Sequence, residues 1–106
     1  NLIVVSAIDY TLKLAKFSNT GSSVWFAAPG VLVQCSDKNG SPVHISGTSF
    51  SAPITAGVAA MVASAHPGET GNQTLSRMAS TAFRAWKKYS LKNFGYGIPD
   101  AGLACQ

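Results

Sequence analysis

The triplet Gly47-Thr48-Ser49 places a serine hydroxyl directly before a long apolar segment. A serine hydroxyl becomes a nucleophile only when a general base takes its proton and hydrogen-bond donors hold the oxyanion created by its attack. A turn containing glycine exposes such a side chain, and a helix that begins at Ser49 directs unpaired N–H groups and the positive end of its dipole at the site. The residues alone leave two roles equally open for Ser49: a nucleophile, or a helix N-cap, which serine commonly forms.

The other reactive side chains form no recognisable site around this serine. His66 lies in the helix stop His66-Pro67-Gly68, which favours a hydrogen-bonding role at a helix end over catalysis. Cys35 and Cys105 have no zinc-ligand spacing; they can form one disulfide or remain free.

Two apolar runs predict strands ahead of the motif. Leu2–Ile8 is short and rich in β-branched residues, as in a strand buried on both faces of a parallel sheet. Val24–Ala28 is a second candidate, ended by Pro29-Gly30. The polar segment Asp9–Gly21 between them predicts a loop with Phe17 as its anchor.

A hairpin is predicted immediately before the motif. Val31–Cys35 and Val43–Ile45 flank Asn39-Gly40, a strong tight-turn signal. The two runs therefore predict an antiparallel pair that delivers the chain to Gly47.

The segment after the motif predicts a helix covered on most sides. Eleven of the sixteen residues from Phe50 to Ala65 are apolar, and no polar face is visible. A membrane span is the rival interpretation, but sixteen residues fall short of about 20. Pro53 and Gly57 weaken it further, so a buried helix is favoured.

A second helix, with one apolar stripe, is predicted over Gln73–Ala82. Its apolar stripe has helical spacing and comprises Leu75, Met78, Ala79 and Ala82. Residues Phe83–Phe94 are irregular and basic, and Gly95–Gly102 predicts an extended, glycine-rich piece leading to a short terminal helix.

Composition limits the remaining possibilities. With 106 residues, 46% of them apolar and 11% charged, the chain is at most one domain and fits the inner part of a larger one. The start without Met, inside a hydrophobic run, indicates a truncated beginning, and no signal peptide is visible.

The formal net charge is +4, and half of the basic residues lie in one run. The residues of this basic run are Arg84, Lys87, Lys88 and Lys92. No aromatic residues alternate with them in the pattern of a nucleic-acid site, which favours a solvated surface.

The heptapeptide Gly47–Pro53, GTSFSAP, resembles the nucleophile motif Gly-Thr-Ser-x-[Ala/Ser]-[Ala/Ser]-Pro of the subtilisin-like serine proteases, the subtilases of peptidase family S8. Five further stretches resemble family elements in the same order and spacing: VVSAID, FSNTG, FAAPGV, TAGVAAMVASAHP and GYGIPDA. This order agrees with the C-terminal third or so of a subtilase catalytic domain.

The resemblance implies a three-layer α/β fold with a mainly parallel sheet. Residues 1–106 are then a partial catalytic domain, its C-terminal portion. They would contribute one parallel strand, an antiparallel hairpin, the nucleophile helix and C-terminal helices.

The same resemblance implies a serine endopeptidase that acts through an acyl-enzyme. Ser49 is its nucleophile, with its own backbone N–H as an oxyanion donor. The motif residues that support it are Gly47, Thr48, Phe50, Ser51, Ala52 and Pro53.

In the family, the catalytic Asp and His and the oxyanion Asn lie upstream of this chain, so the chain alone is expected to be inactive. His44 and His66 lack the family's His-Gly-Thr-His context. The aspartates likewise lack the catalytic context: Asp9, Asp37 and Asp100.

The implied partners are a polypeptide substrate and the upstream part of the same domain, with no nucleic acid and no membrane span. The chain's four carboxylates are well spread and offer no metal site, so no cofactor is expected within it. By resemblance, the full-length protein can bind calcium and is secreted or extracytoplasmic.

Four residues depart from the family pattern. Ser6 replaces a usual Gly, Ser46 a frequent Asn, Phe50 a common Met and Pro99 a β-branched residue. The alternatives are a non-catalytic pseudoprotease, or a structural binding module with the same fold.

Overall fold

The computed structural model describes residues 2–84, 86 and 90–106. Within these residues the chain forms two two-stranded sheets and four helices. In chain order the elements are β1 (Val4–Ile8), β2 (Val24–Pro29), β3 (Val33–Ser36), β4 (Pro42–Ile45), α1 (Thr48–Ala65), α2 (Gly71–Thr81), α3 (Leu91–Phe94) and α4 (Ala101–Ala104).

Strands β1 and β2 pair in parallel, with Ser6 opposite Ala27. Strand β1 is buried from Val5 to its end, as predicted for a strand covered on both faces. The predicted glycine-rich extended piece lies along the other edge of β2. There the Tyr96 N–H donates to the Trp25 carbonyl at 2.6 Å, and the Ala27 N–H donates to the Gly97 carbonyl at 3.0 Å.

Gly95 allows this close approach to β2. Its φ of +57° lies in the left-handed region, and a Cβ there would overlap the carbonyl group of Trp25. Only glycine fits both conditions.

The two faces of the β1–β2 sheet bury separate clusters. Phe26 packs with Val62 of α1 and Met78 of α2, and the predicted stripe of α2 joins this cluster. The next residue, Ala27, packs instead with Ile8 and Phe94 of α3. Successive strand residues face opposite sides, so helices cover both faces and the three-layer α/β prediction is confirmed.

The prediction that Phe17 anchors the first loop is wrong. The Phe17 side chain is 49% exposed. Buried Ala15 holds the loop instead, because its N–H donates to the Ala7 carbonyl at 2.8 Å. The Ala7 N–H in turn donates to the Ser18 hydroxyl at 2.8 Å. Polar contacts to β1 therefore fix this loop.

Side-chain caps account for two differences between the predicted and the observed helices, one in α2 and one in α3. Helix α2 begins two residues early, since Thr70 accepts a hydrogen bond from the Gln73 N–H at 3.2 Å and the Gln73 side chain bonds back to the Thr70 N–H. Helix α3 lies in the segment predicted to be irregular and is capped by Ser90. Four residues are too few to show a helical period.

Helix α1 is covered along one face only. Its fully or nearly fully buried residues are Ser51, Thr55 and Val62, so two of its polar side chains point inward. The exposed positions are mostly apolar: Ala52, Ile54, Ala56, Gly57, Ala60, Met61 and Ala63. The described residues supply a partner for one face of the helix, so the cover predicted for its other sides does not come from them. By length and composition alone, α1 could also cross a membrane.

Candidate active site

The predicted hairpin is present and leads to the motif. Strands β3 and β4 are antiparallel, and His44 lies opposite Gln34. The Asp37 carboxylate closes the turn by accepting from the Asn39 and Ser41 N–H groups at 2.8 and 2.9 Å. Polar bonds thus hold the hairpin tip ahead of the motif.

Ser49 lies in the exposed first turn of α1. The helix begins at Thr48, one residue earlier than predicted, and its N-cap is Gly47, so Ser49 does not form the N-cap. The turn closes through a 3.0 Å bond from the Phe50 N–H to the Gly47 carbonyl. Within the described part of the chain, the Ser49 hydroxyl has no hydrogen-bond partner. It stands beside first-turn N–H groups that have no intrahelical acceptor.

The end of strand β2 anchors both sides of this turn. Ahead of Ser49, the Gly47 N–H donates to the Gly30 carbonyl at 2.7 Å. Behind it, the buried Ser51 hydroxyl lies 2.9 Å from the Ala28 carbonyl oxygen and 3.1 Å from that of Pro29. The motif therefore sits at the carboxyl end of a parallel strand, where open α/β sheets place their ligand sites.

The two histidines have no contact with Ser49. His66 Nε2 lies 3.2 Å from the Ala104 carbonyl oxygen, and the His66 backbone N–H donates to the Val62 carbonyl at 3.0 Å. Both contacts confirm the predicted helix-end role. His44 is exposed on β4. Neither histidine therefore hydrogen-bonds to Ser49 in the part of the chain that the structure describes.

The acidic side chains are all engaged locally. A hydrogen bond from the Thr11 hydroxyl holds the pKa of Asp9 below its usual value. The Arg77 guanidinium, bonded to both oxygens of Glu69, lowers the pKa of that carboxyl. Asp100 caps α4 by accepting from the Leu103 N–H at 3.0 Å. These carboxylates stabilise turns and helix ends away from the motif.

The predicted support residues take different places around the nucleophile turn. Phe50 is half-buried, Ala52 and Pro53 are exposed, and Ser51 is fully buried. Sequence reasoning missed Gly30: a Cβ there would overlap the Ser51 hydroxyl and lie 2.7 Å from the Ala7 Cβ. The sequence hinted at the close approach of Gly30 and Ser51 only through the Pro29-Gly30 pair that ends the strand β2.

Of the two possibilities for the cysteines, a disulfide or free thiols, the structure shows free thiols. Cys35 and Cys105 are both half-buried and unpaired, and the Cys35 Sγ lies 3.6 Å from the Val33 carbonyl oxygen. Neither contributes to the site.

Comparison with known proteins gives consistent matches. The subtilase family model (peptidase S8) matches residues 1–97. The thermostable alkaline protease of Halalkalibacterium halodurans is 37% identical over 105 residues, which are 99% of this chain and 28% of that protein. The halolysin-like extracellular serine protease Nep of Natrialba magadii is 36% identical over 98% of this chain and 19% of its own length. Subtilisin DY of Bacillus licheniformis is 34% identical over 100% of this chain and 38% of its own length.

This chain therefore spans less than two-fifths of these relatives. Among solved structures, the serine protease MycP1 of the type VII (ESX-1) secretion system superposes with a TM-score of 0.88 at 27% identity, covering 98% of this chain and 31% of that one. MycP1 from Mycobacterium smegmatis gives a TM-score of 0.83 at 28% identity, covering 99% and 30%. In fold, motif order and sequence, the chain belongs to the subtilase family.

Proposed function

We propose that these 106 residues form the C-terminal portion of the catalytic domain of a secreted serine endopeptidase, with Ser49 as its nucleophile. The observation that carries the proposal is the Ser49 hydroxyl itself. It is exposed and has no hydrogen-bond partner among the described residues, and it lies on the first turn of a helix that is tied to the end of β2. A hydroxyl in this position can give its proton to an external base without breaking a bond of the fold.

The chemistry follows from this position. Ser49 Oγ attacks the carbonyl carbon of a peptide bond while a base takes its proton, and the Ser49 N–H donates to the oxyanion. Collapse of the tetrahedral intermediate returns the proton to the leaving amine and leaves an ester on Ser49. Water, deprotonated by the same base, hydrolyses that ester and frees the serine.

The base, its orienting Asp and the oxyanion Asn would come from the upstream part of the same domain. His66 is occupied by the Ala104 carbonyl, and His44 makes no bond to Ser49. The resemblance implies that all three residues precede this chain, and the chain's short span of its relatives supports that origin.

The exposed face of α1 is the surface that the upstream segment would cover. Two neighbouring concavities lie along it, one of about 390 Å³ between β1, α1 and α2 and one of about 380 Å³ between α1 and α2. Both are lined mainly by alanines and other apolar residues. Contiguous apolar surface of this kind marks a face that packs against protein, which favours a core helix over a membrane span.

The basic run near the C-terminal end of the chain is proposed to be solvated surface and not a nucleic-acid site. Arg84 Nε donates to the Tyr96 carbonyl at 2.8 Å, so part of the basic run is used within the fold. Lys92 is exposed, and Lys87 and Lys88 lie outside the described residues. A solvated surface therefore remains our proposal for the run.

The described residues contain no group of three metal-ligating side chains, and their carboxylates are engaged in turns, caps and one ion pair. They do not fit a calcium cage, which needs six to eight oxygens. We therefore place any calcium of the full-length protein outside this chain. Secretion is supported by relatives such as the extracellular protease Nep.

A fluorophosphonate serine probe tests the proposal. We expect it to label the full-length protein at Ser49, with labelling abolished in Ser49→Ala. It should leave the isolated 106-residue chain unlabelled, because no described histidine or carboxylate hydrogen-bonds to the hydroxyl. Peptide mapping by mass spectrometry identifies the labelled residue.

Each other outcome has a definite meaning. Efficient labelling of the isolated chain would show that His44 or His66 acts as the base, which contradicts the proposed origin of that base. Absence of labelling in both forms would favour the alternative, a pseudoprotease with the subtilase fold.

Because Phe50 follows the nucleophile in the chain, we expect the activity of the full-length protein to resist oxidation. Phenylalanine carries no thioether, whereas Met at this position would place an oxidisable sulfur beside Ser49. We expect mild peroxide to leave the activity of the full-length protein unchanged and to inactivate a Phe50→Met variant. Both proteins should carry Met61→Leu, because Met61 is the exposed methionine of α1. Equal inactivation rates would contradict the placement of residue 50 beside the reacting atoms.

A further inference from the structure

Asn39 lies at the tip of the β3–β4 hairpin, in the single Asn-Gly pair of the sequence. Every residue from Ser36 to Pro42 is exposed. The Asn39 backbone N–H donates to the Asp37 carboxylate at 2.8 Å, but its side-chain amide makes no hydrogen bond to the residues that the structure describes. The carbon of this amide, Cγ, is therefore unshielded.

The residue that follows leaves its own backbone nitrogen equally open. Gly40 has a φ of +81°, in the left-handed region, and a Cβ there would meet no atom of a non-adjacent residue within 4 Å. A side chain at this position would stand beside the N–H and hinder the approach of the Asn39 side chain, whereas glycine carries none. The Gly40 N–H donates to the Asp37 carbonyl at 3.0 Å. A hydrogen bond in so exposed a turn opens at little cost in free energy.

The Asn39 amide and the Gly40 nitrogen can react with each other without an enzyme. The Gly40 nitrogen gives its proton to hydroxide and attacks Asn39 Cγ, and ammonia leaves as the new C–N bond closes a five-membered imide. Water then opens the imide at either of its carbonyl carbons. One opening gives aspartate, and the other gives isoaspartate, in which the main chain runs through the former side chain. In sum, an amide and water become a carboxylate and ammonium.

We propose that Asn39 is a site of spontaneous deamidation in the folded protein, which places a new negative charge on the hairpin that leads to the nucleophile motif. The proposal does not depend on the function of Ser49. Isoaspartate also lengthens the main chain between the Asn39 and Ser41 N–H groups, which both donate to the same oxygen of Asp37. The modification therefore loosens this turn.

Two other exposed asparagines of the chain serve as internal controls. Asn19 lies outside the helices and strands and is followed by Thr20, whose β-branched side chain crowds its own N–H. Asn72 lies in the first turn of α2 and is followed by Gln73, whose N–H donates to the Thr70 hydroxyl. If exposure alone decided the reaction, all three asparagines would react alike.

The test incubates the full-length protein at neutral and at alkaline pH, as the Ser49→Ala variant so that the proposed nucleophile cannot digest the sample. Peptide mass spectrometry measures the deamidated fraction of each asparagine, and electron-transfer fragmentation separates aspartate from isoaspartate. We expect Asn39 to react at least about tenfold faster than Asn19 and Asn72, to react faster at alkaline pH, and to yield both products.

Two variants check that the pair itself is responsible. Asn39→Gln should abolish the more acidic form seen on isoelectric focusing, because glutamine would have to close a larger ring. Thr20→Gly should raise the rate at Asn19 toward that of Asn39.

Equal rates at the three asparagines would overturn the proposal. If all were slow, the Asp37 turn would protect the pair, and if all were fast, unfolding and not the local geometry would expose them. A folded Thr20→Gly protein with an unchanged rate at Asn19 would also count against it, because the residue after asparagine would then not decide the reaction.

Discussion

Replacing Ser49 by alanine is expected to lower kcat of the full-length protein by a factor on the order of 10⁶, the loss found when the nucleophile of a serine protease is removed. The reason is that no acyl-enzyme can form without the hydroxyl, so only binding and oxyanion stabilisation remain. Steady-state hydrolysis of a chromogenic peptide measures the loss.

The fold should not change in this variant. The Ser49 side chain is exposed and makes no hydrogen bond within the described residues, so the free energy of unfolding should stay within about 0.5 kcal/mol of wild type. Ser41→Ala, on the exposed hairpin, is the activity control and should retain full kcat. Substantial turnover by a folded Ser49→Ala protein would rule out Ser49 as the nucleophile.

Ala60→Asp is expected to unfold, or nearly unfold, the full-length domain while leaving the 106-residue chain's own contacts intact. Ala60 is exposed here and lines the concavity between α1 and α2. If the upstream segment covers this face, the new carboxylate becomes buried and unpaired, which costs about 3–5 kcal/mol. A domain has only about 5–15 kcal/mol of stability in total.

Thermal and denaturant unfolding of the full-length protein measure this effect. Ser76→Asp is the matched control, because Ser76 is exposed on the polar side of α2, beside the Arg77–Glu69 ion pair. It should change the melting temperature little. An Ala60→Asp protein that unfolds cooperatively at the wild-type temperature would show that this face of α1 remains open to solvent.

Ser49 illustrates how far the site could be read from the sequence. The apolar helix, the hairpin before it and the parallel strand were all predicted from local patterns, and the structure confirms them, with the helix starting at Thr48, one residue before the predicted Ser49. Local patterns could not separate the two roles for Ser49, because a nucleophile and an N-cap both favour serine at a helix start; only the resemblance of the motif to the subtilases favoured the nucleophile. The structure removes the N-cap role by assigning it to Gly47.

Phe17 and α3 show the limits of local patterns in the fold. An aromatic residue in a polar loop suggested an anchor, yet polar bonds to β1 hold that loop and leave Phe17 exposed. Helix α3 is one turn long and depends on its Ser90 cap and on Phe94 packing beneath the sheet. Neither outcome is encoded in a periodic pattern.

The sequence by itself determined the family, the order of the strands and of the two long helices, and the serine in the first turn of the apolar helix, because motifs, turn signals and hydrophobic periods are properties of neighbouring residues. Only the tertiary structure decided which face of α1 is covered, and that Ser51, one of three polar residues inside the apolar run, hydrogen-bonds to the sheet from a buried position. The physical reason is that burial and hydrogen bonding depend on partners that lie far away along the chain. The carbonyls that receive the Ser51 hydroxyl belong to a strand more than 20 residues earlier, and only folding brings them together.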